Sequence, residues 1–233
     1  MKIGAKIAEI CSSFGLCFDD AALSRMELFA DLLIEKNKVM NLTAITEESR
    51  VAALHFADCL FLLSVEDFTK KRIIDIGCGG GFPSVPLLCA EPSLDITGVD
   101  STTKRVDFVT QSVTSLGVGG KFISARAEEY ALKNMEKFDI SLSRAVAPLN
   151  ILCELSMPLL KIGGKMLAMK STDEGELENA KNAIKTLGGR LAGTRDYSVG
   201  EEYPARRVVI IEKIAKTPPQ YPRRYAKIKD KPL

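Results

Sequence analysis

The chain has 233 residues, of which 46% are hydrophobic and 27% charged; this excludes the disordered and collagen-like classes and suffices for one core burying roughly 70% of the unfolded surface. Lys plus Arg is 32 against 30 for Asp plus Glu, a net charge of +2, which argues against a protein that coats itself in nucleic acid. The longest apolar stretch, around Leu60 to Val65, falls far short of the roughly 20 residues a membrane-spanning helix needs. Neither a membrane contact nor a secretory leader is expected, and the cytoplasm is the expected compartment.

The first 70 residues read as a helical cover. Ile3, Ile7 and Ile10 recur at helical spacing, and Asp19 and Asp20 offer an N-cap to the stripe Leu23, Met26, Phe29, Ala30, Leu33 and Ile34. A break is expected at Asn41-Leu42-Thr43, and Thr46, Glu47 and Glu48 open a further helix carrying Val51, Leu54, Asp58, Phe61 and Leu62.

Residues 71–215 alternate short apolar strands with helical segments, the pattern of a parallel sheet covered on both faces. Seven strands are expected, at 72–76, 95–100, 121–125, 139–143, 165–170, 190–198 and 206–214. The connection from Val199 to Ala205 is too short for a crossover helix, so the last two should form an antiparallel hairpin. Asp173, Glu174, Glu176 and Glu178 suit the start of the helix after the fifth strand. Residues 216–233 hold Pro218, Pro219, Pro222 and Pro232 among many cations, so this basic tail is expected to be irregular.

Six cysteines (Cys11, Cys17, Cys59, Cys78, Cys89, Cys153) contain no C-x-x-C, and His55 is the single histidine. Buried reduced thiols and no metal site are expected. The informative segment is Ile73-Ile74-Asp75-Ile76-Gly77-Cys78-Gly79-Gly80-Gly81-Phe82-Pro83. An apolar strand runs into a glycine-rich turn and a helix near Phe82, bringing bare backbone to the carboxyl edge of the sheet. A tight turn alone would also use glycines. Asp100, 23 residues beyond Gly77, ends the next strand, where a carboxylate can accept both hydroxyls of a ribose or cap the following helix.

The dinucleotide fingerprint would need glycine where Phe82 stands. The spacing Asp75-x-Gly77-x-Gly79-x-Gly81 instead resembles the first motif of class I S-adenosylmethionine-dependent methyltransferases. This resemblance implies an α/β, Rossmann-like, seven-stranded and mostly parallel sheet with an antiparallel last strand, here with an N-terminal helical extension. Ala125-Arg126-Ala127-Glu128-Glu129 follows the third strand and Ser143-Arg144-Ala145-Val146-Ala147-Pro148 the fourth. The Asn/Asp-Pro-Pro-aromatic motif of exocyclic-amine enzymes and the Pro-Cys context of cytosine-C5 enzymes are both missing. Guanine N7 already carries an acceptor lone pair, so methylating it needs alignment more than a base.

Further strings narrow the resemblance: Asn37-Lys38-Val39-Met40-Asn41-Leu42-Thr43, His55-Phe56-Ala57-Asp58-Cys59-Leu60, Gly81-Phe82-Pro83, Asp100-Ser101-x-x-Lys104-Arg105, Ser143-Arg144-Ala145 and the terminal Pro232-Leu233. Together they resemble the bacterial small-subunit ribosomal RNA guanine-N7 methyltransferases, also called glucose-inhibited division protein B. The resemblance implies methyl transfer from S-adenosyl-L-methionine to guanine N7 in 16S ribosomal RNA, with that RNA or the small ribosomal subunit as partner and the enzyme a monomer. It assigns cofactor contacts to Gly77, Phe82, Ala127, Glu128 and Arg144, completed by Asp75, Gly79, Gly81, Asp100 and Ser101. Asn41, His55 and Arg144 are the candidates for positioning the base, with Thr43 and Asp58 beside them. Cys59 stands where many members have Ser.

Two other readings remain open from sequence: an RNA- or protein-binding module on the same fold without turnover, and a methyltransferase acting on a protein or small molecule. Residues 214–233 carry six cations and one acid, net +5, leaving −3 on the rest. With Tyr221 and Tyr225 interleaved, this end suits RNA contact. Its deletion is expected to weaken RNA methylation and leave cofactor affinity intact.

Overall fold

Seven strands form one sheet in the computed structural model, which describes residues 2–233. They are β1 (Arg72–Ile76), β2 (Asp95–Asp100), β3 (Lys121–Ser124), β4 (Phe138–Arg144), β5 (Leu160–Ser171), β6 (Gly189–Tyr197) and β7 (Arg206–Lys213), in the order β3-β2-β1-β4-β5-β7-β6. β1 to β5 pair in parallel, while β7 lies antiparallel between β5 and β6. The expected hairpin is therefore present, and its second strand is inserted into the sheet. β5 starts five residues before the expected position. Leu160 pairs with Phe138 ahead of a register shift, and Gly163, with φ +87°, lies in the irregular stretch between that pair and the regular ladder from Lys165.

One face of the sheet is covered by α1 (Ile3–Ser12), α2 (Asp20–Met40), α5 (Ser84–Ala90) and α6 (Thr103–Leu116), which share a core around Phe29, Phe56 and Leu87. The other carries α7 (Ala127–Lys133), α8 (Leu149–Ser156) and α9 (Glu174–Thr186). Asp19 caps α2, its Oδ1 accepting from the Ala22 amide at 2.7 Å. α2 stops at Asn41, whose left-handed φ of 49° ends the helix. The Asn37 side chain then clamps Thr43 through two bonds of 2.8 and 2.9 Å, which turns the chain back toward the sheet.

The next helical run is composite: α3 (Glu48–Val51), a π turn (Ala52–Ala57), α4 (Asp58–Leu60) and a 3-10 turn (Phe61–Ser64). His55 and Asp58 are both buried. Such π turns often lie at functional sites.

The tail corrects the sequence reading. It contains α10 (Tyr225–Asp230), with Ile228 fully buried in the same core as α8 and α9. No proline lies between Pro222 and Pro232, so one helical turn and more can form. A buried ion pair anchors it: Arg223 Nη2 lies 2.5 Å from Glu154 Oε2.

Candidate active site

The carboxyl ends of β1, β2, β3 and β4 meet at one edge, and the strand order reverses between β1 and β4, where ligands of open α/β sheets bind. The turn after β1 is built on positive φ at Gly77 (+69°), Gly79 (+52°) and Gly81 (+97°). A Cβ on Gly77 would lie 2.7 Å from Val146 Cγ2, and one on Gly81 2.7 Å from Val85 Cγ2. Conformation and close approach together require glycine at positions 77 and 81, and conformation favours it at 79.

Asp100 ties this turn to β2. Its Oδ2 accepts from the Gly79 amide at 3.0 Å and its Oδ1 from the Thr102 amide at 2.8 Å. Beneath the turn Asp75 is fully buried, with Oδ2 accepting from Ser84 Oγ at 2.6 Å and Oδ1 without any partner. Burial pushes its carboxyl up to about 7.

Beside the turn lies a cavity of about 240 Å3. Of the residues assigned from sequence, Gly77, Asp100, Ser101, Ala127 and Glu128 line it. Arg105, Arg126, Val146, Leu155 and Tyr225 line it too and were not assigned. Arg105 and Arg126 stand next to motif residues, so their place was within reach of the pattern. Leu155 comes from a distant segment without a local signal, and Tyr225, whose setting among cations suggested RNA contact, lines this cavity as well.

Asp75, Gly79, Gly81, Phe82, Arg144 and His55 do not line that cavity. Phe82, Arg144 and His55 instead form a buried cluster between the glycine turn and the helical cover. The rings of His55 and Phe82 stack with centroids 4.7 Å apart, and the Arg144 guanidinium lies 4.8 Å from the Phe82 centroid. Arg144 Nη1 donates to the Leu54 carbonyl at 2.8 Å and to Asp58 Oδ2 at 3.1 Å. Arg144 Nη2 lies 3.2 Å from His55 Nδ1, and His55 Nε2 lies 2.7 Å from Thr43 Oγ1. A guanidinium can only donate, so Nδ1 accepts and the proton sits on Nε2, facing Thr43. Burial, then the charge of Arg144, lowers the His55 pKa to about 3, and the ring is neutral.

Sequence reasoning placed Asp58 near this group without its second arginine. Asp58 is fully buried, and Tyr197 Oη donates to its Oδ1 at 2.8 Å. Arg206 Nη2 lies 3.4 Å from Oδ2. Arg206 and Tyr197 come from β7 and β6, so the cluster joins the helical cover to the far side of the sheet. Asn41 remains exposed at the end of α2. Cys59 is fully buried, and burial pushes its thiol up to about 12; it packs as a small helix residue.

The fold and this edge define a nucleoside-cofactor-dependent transferase of the class I methyltransferase type. The family model described as "GidB: rRNA small subunit methyltransferase G" matches residues 22–200. A ribosomal RNA small subunit methyltransferase G of Clostridium perfringens is 38% identical over 228 residues, covering 96% of this chain and 95% of that one. Another, from Brevibacillus brevis, is 39% identical over 233 residues, covering 98% of each. Among solved structures, the StiE O-MT domain superposes with a TM-score of 0.58 at 13% identity, covering 78% of this chain and 82% of that one, a likeness of fold.

The chain belongs to the rRNA small subunit methyltransferase G family. It is an S-adenosylmethionine-dependent methyltransferase. The residues present suit that cofactor: the cavity beside the glycine turn brings the carboxylates of Asp100 and Glu128 together with the apolar Ile76, Val99 and Leu155.

Proposed function

We propose that this enzyme works by alignment, its own residues binding and orienting the reactants without acid–base relay. The reaction is that of its family: a methyl group passes from S-adenosylmethionine to the N7 of a guanine in 16S ribosomal RNA. The cofactor supplies the methyl in activated form, on a sulfonium. Gly77, Asp100, Ser101, Ala127 and Glu128 hold its nucleoside part. Asp75, Gly79 and Gly81 shape the glycine turn from behind the cavity, and Phe82 and Arg144 hold that turn against the helical cover.

One observation carries this reading, the locked and neutral His55. Both of its nitrogens are engaged, by Arg144 and by Thr43, and its pKa of about 3 makes it a poor proton acceptor. The thiols of Cys59 and Cys153 are buried and raised to about 12, so neither serves as a nucleophile. Guanine N7 requires neither service, since its lone pair is free in the neutral base. Asn41, His55 and Arg144 then position the base, the exposed Asn41 from the end of α2 and the buried His55 and Arg144 by holding the cover against the glycine turn.

In this reading the enzyme acts as a monomer, in the cytoplasm, on the 16S RNA or the small subunit containing it; that the cavity is lined by residues of one copy supports the first of these. No described helix is long and apolar enough to cross a membrane. The test is transfer of labelled methyl from S-adenosylmethionine to purified small subunits, naked 16S RNA and total protein, followed by strand cleavage specific for N7-methylguanine. Label in RNA, at a cleavable guanine, is expected; label in protein alone overturns the substrate assignment. Asn41→Ala and His55→Ala should each lower kcat/KM by about tenfold or more through lost alignment, and wild-type rates in both would remove them from the site.

A further inference from the structure

Two residues lining the cofactor cavity, Leu155 and Tyr225, belong to none of the strand-end turns. Tyr225, the first residue of α10, lines it together with Asp100 of β2, Arg126 of the β3–α7 connection and Glu128 of α7. The Arg126 guanidinium lies 5.3 Å from the centroid of its ring. Arg126, Glu128 and Tyr225 also border a second cavity of about 620 Å3, otherwise lined by the C-terminal segment, Glu129 and the exposed Leu132. Tyr225 thus stands in the partition between the two spaces.

Its place is fixed from both sides in sequence. Two residues earlier, Arg223 donates from its backbone amide to Glu154 Oε1 at 2.8 Å, and from Nη2 to Oε2 at 2.5 Å. Glu154 adjoins Leu155, another wall of the cavity. Three residues later, Ile228 is fully buried. A solvated tail would have none of these contacts, and a chance contact would not be held at both ends.

We infer that Tyr225 is a cofactor-binding residue, the aromatic wall at the nucleoside end, and that the C-terminal segment is a structural part of the S-adenosylmethionine site. The inference rests on the reading above that the cavity over Asp100 takes the adenosine moiety. A flat aromatic ring offers a purine a large apolar face at little entropic cost, and removing such a ring weakens binding of a base by about tenfold. The expectation from sequence that deleting residues 216–233 spares cofactor affinity is revised accordingly: the deletion removes Tyr225 and opens the wall.

The test uses the full-length protein and S-adenosylhomocysteine, with dissociation constants from calorimetry for wild type, Tyr225→Phe, Tyr225→Leu and Tyr225→Ala. Tyr225→Ala is expected to bind about tenfold more weakly and Tyr225→Phe within about twofold of wild type. Tyr225→Leu, which keeps apolar packing under α10 and removes the flat ring, should fall between them with an unchanged melting temperature, and it carries the test should the alanine variant unfold. Adenosine alone should show the same order of affinities, which a general loosening of the fold would not impose. Equal affinities for wild type and Tyr225→Leu, or a loss in Tyr225→Phe as large as in Tyr225→Ala, would overturn the inference. Absence of binding by wild type would overturn the reading of the cavity itself, a distinct outcome.

Discussion

Asp75 shows how a single residue under the glycine turn couples the site to stability. Its carboxyl titrates near 3.8 in an unfolded chain and at about 7 in the fold, where burial disfavours the charge. Between those values the folded protein keeps a proton that the unfolded chain has released, so this group lowers stability as pH rises from about 4 to about 7 and adds no further slope above that. His55 acts oppositely: its lowered pKa of about 3 means the unfolded chain takes up the proton first, so its contribution grows as pH rises through the range from about 3 to 6.5. Asp75→Asn separates the two, because it cannot ionise and keeps an acceptor for Ser84. Without cofactor, the variant should gain on wild type between pH 5 and pH 8 by an amount of the order of a few kcal/mol, read from paired denaturation curves. A constant difference between the two proteins across that range would show that Asp75 is ionised in the fold throughout.

At the scale of elements, the C-terminal segment is held by chemistry more than by helical propensity, since the six residues of α10 are too few to be stable alone. Arg223→Ala would leave the Glu154 carboxylate, 1% exposed in its side chain, without its cation. Removing one partner of a buried pair costs about 3–5 kcal/mol, so urea unfolding should shift to lower concentration and amides of residues 216–233 should exchange faster. The double variant E154L/R223M should recover much of the loss, because an apolar pair leaves no buried charge. If Arg223→Ala unfolds at the wild-type urea concentration, the ion pair is not the anchor. This segment also marks where sequence reading ran out. β1 and β2 were legible to the residue because each is an apolar run bounded by a charge and a turn, and the glycine motif was legible because its conformation admits few other residues. α10 was not, since its prolines and cations describe its surface, while its burial depends on Glu154, 69 residues earlier in the chain. Tyr225 in the cavity and Arg206 beside Asp58 were hidden for the same reason: the pattern around Tyr225 suggests RNA stacking, Arg206 has no local pattern, and each is placed by an element that must first dock.

Over the whole molecule the net charge of +2 divides into −3 on residues 1–213 and +5 on residues 214–233. The fold places the basic end beside the cofactor cavity, because Tyr225 belongs to both. Lys216, Arg224, Lys227, Lys229 and Lys231 are exposed, and among the described residues none of them forms an ion pair. Such cations are free to meet phosphates, and each phosphate neutralised releases condensed counterions, so RNA affinity falls with salt in proportion to their number. Deleting the tail cannot test this, since it also removes the anchor and the cavity wall. Neutralising Lys216, Lys227, Lys229 and Lys231 to Gln can, because their side chains lie outside the core and the cavity. S-adenosylhomocysteine affinity should stay at the wild-type value. The slope of log affinity for 16S RNA against log salt should become shallower, by roughly one to three for the four charges together. Methylation at low salt should fall with it, through KM and not kcat, because the reacting geometry is untouched. An unchanged slope would mean that the RNA lies elsewhere on the protein and that the positive charge at this end only solvates it.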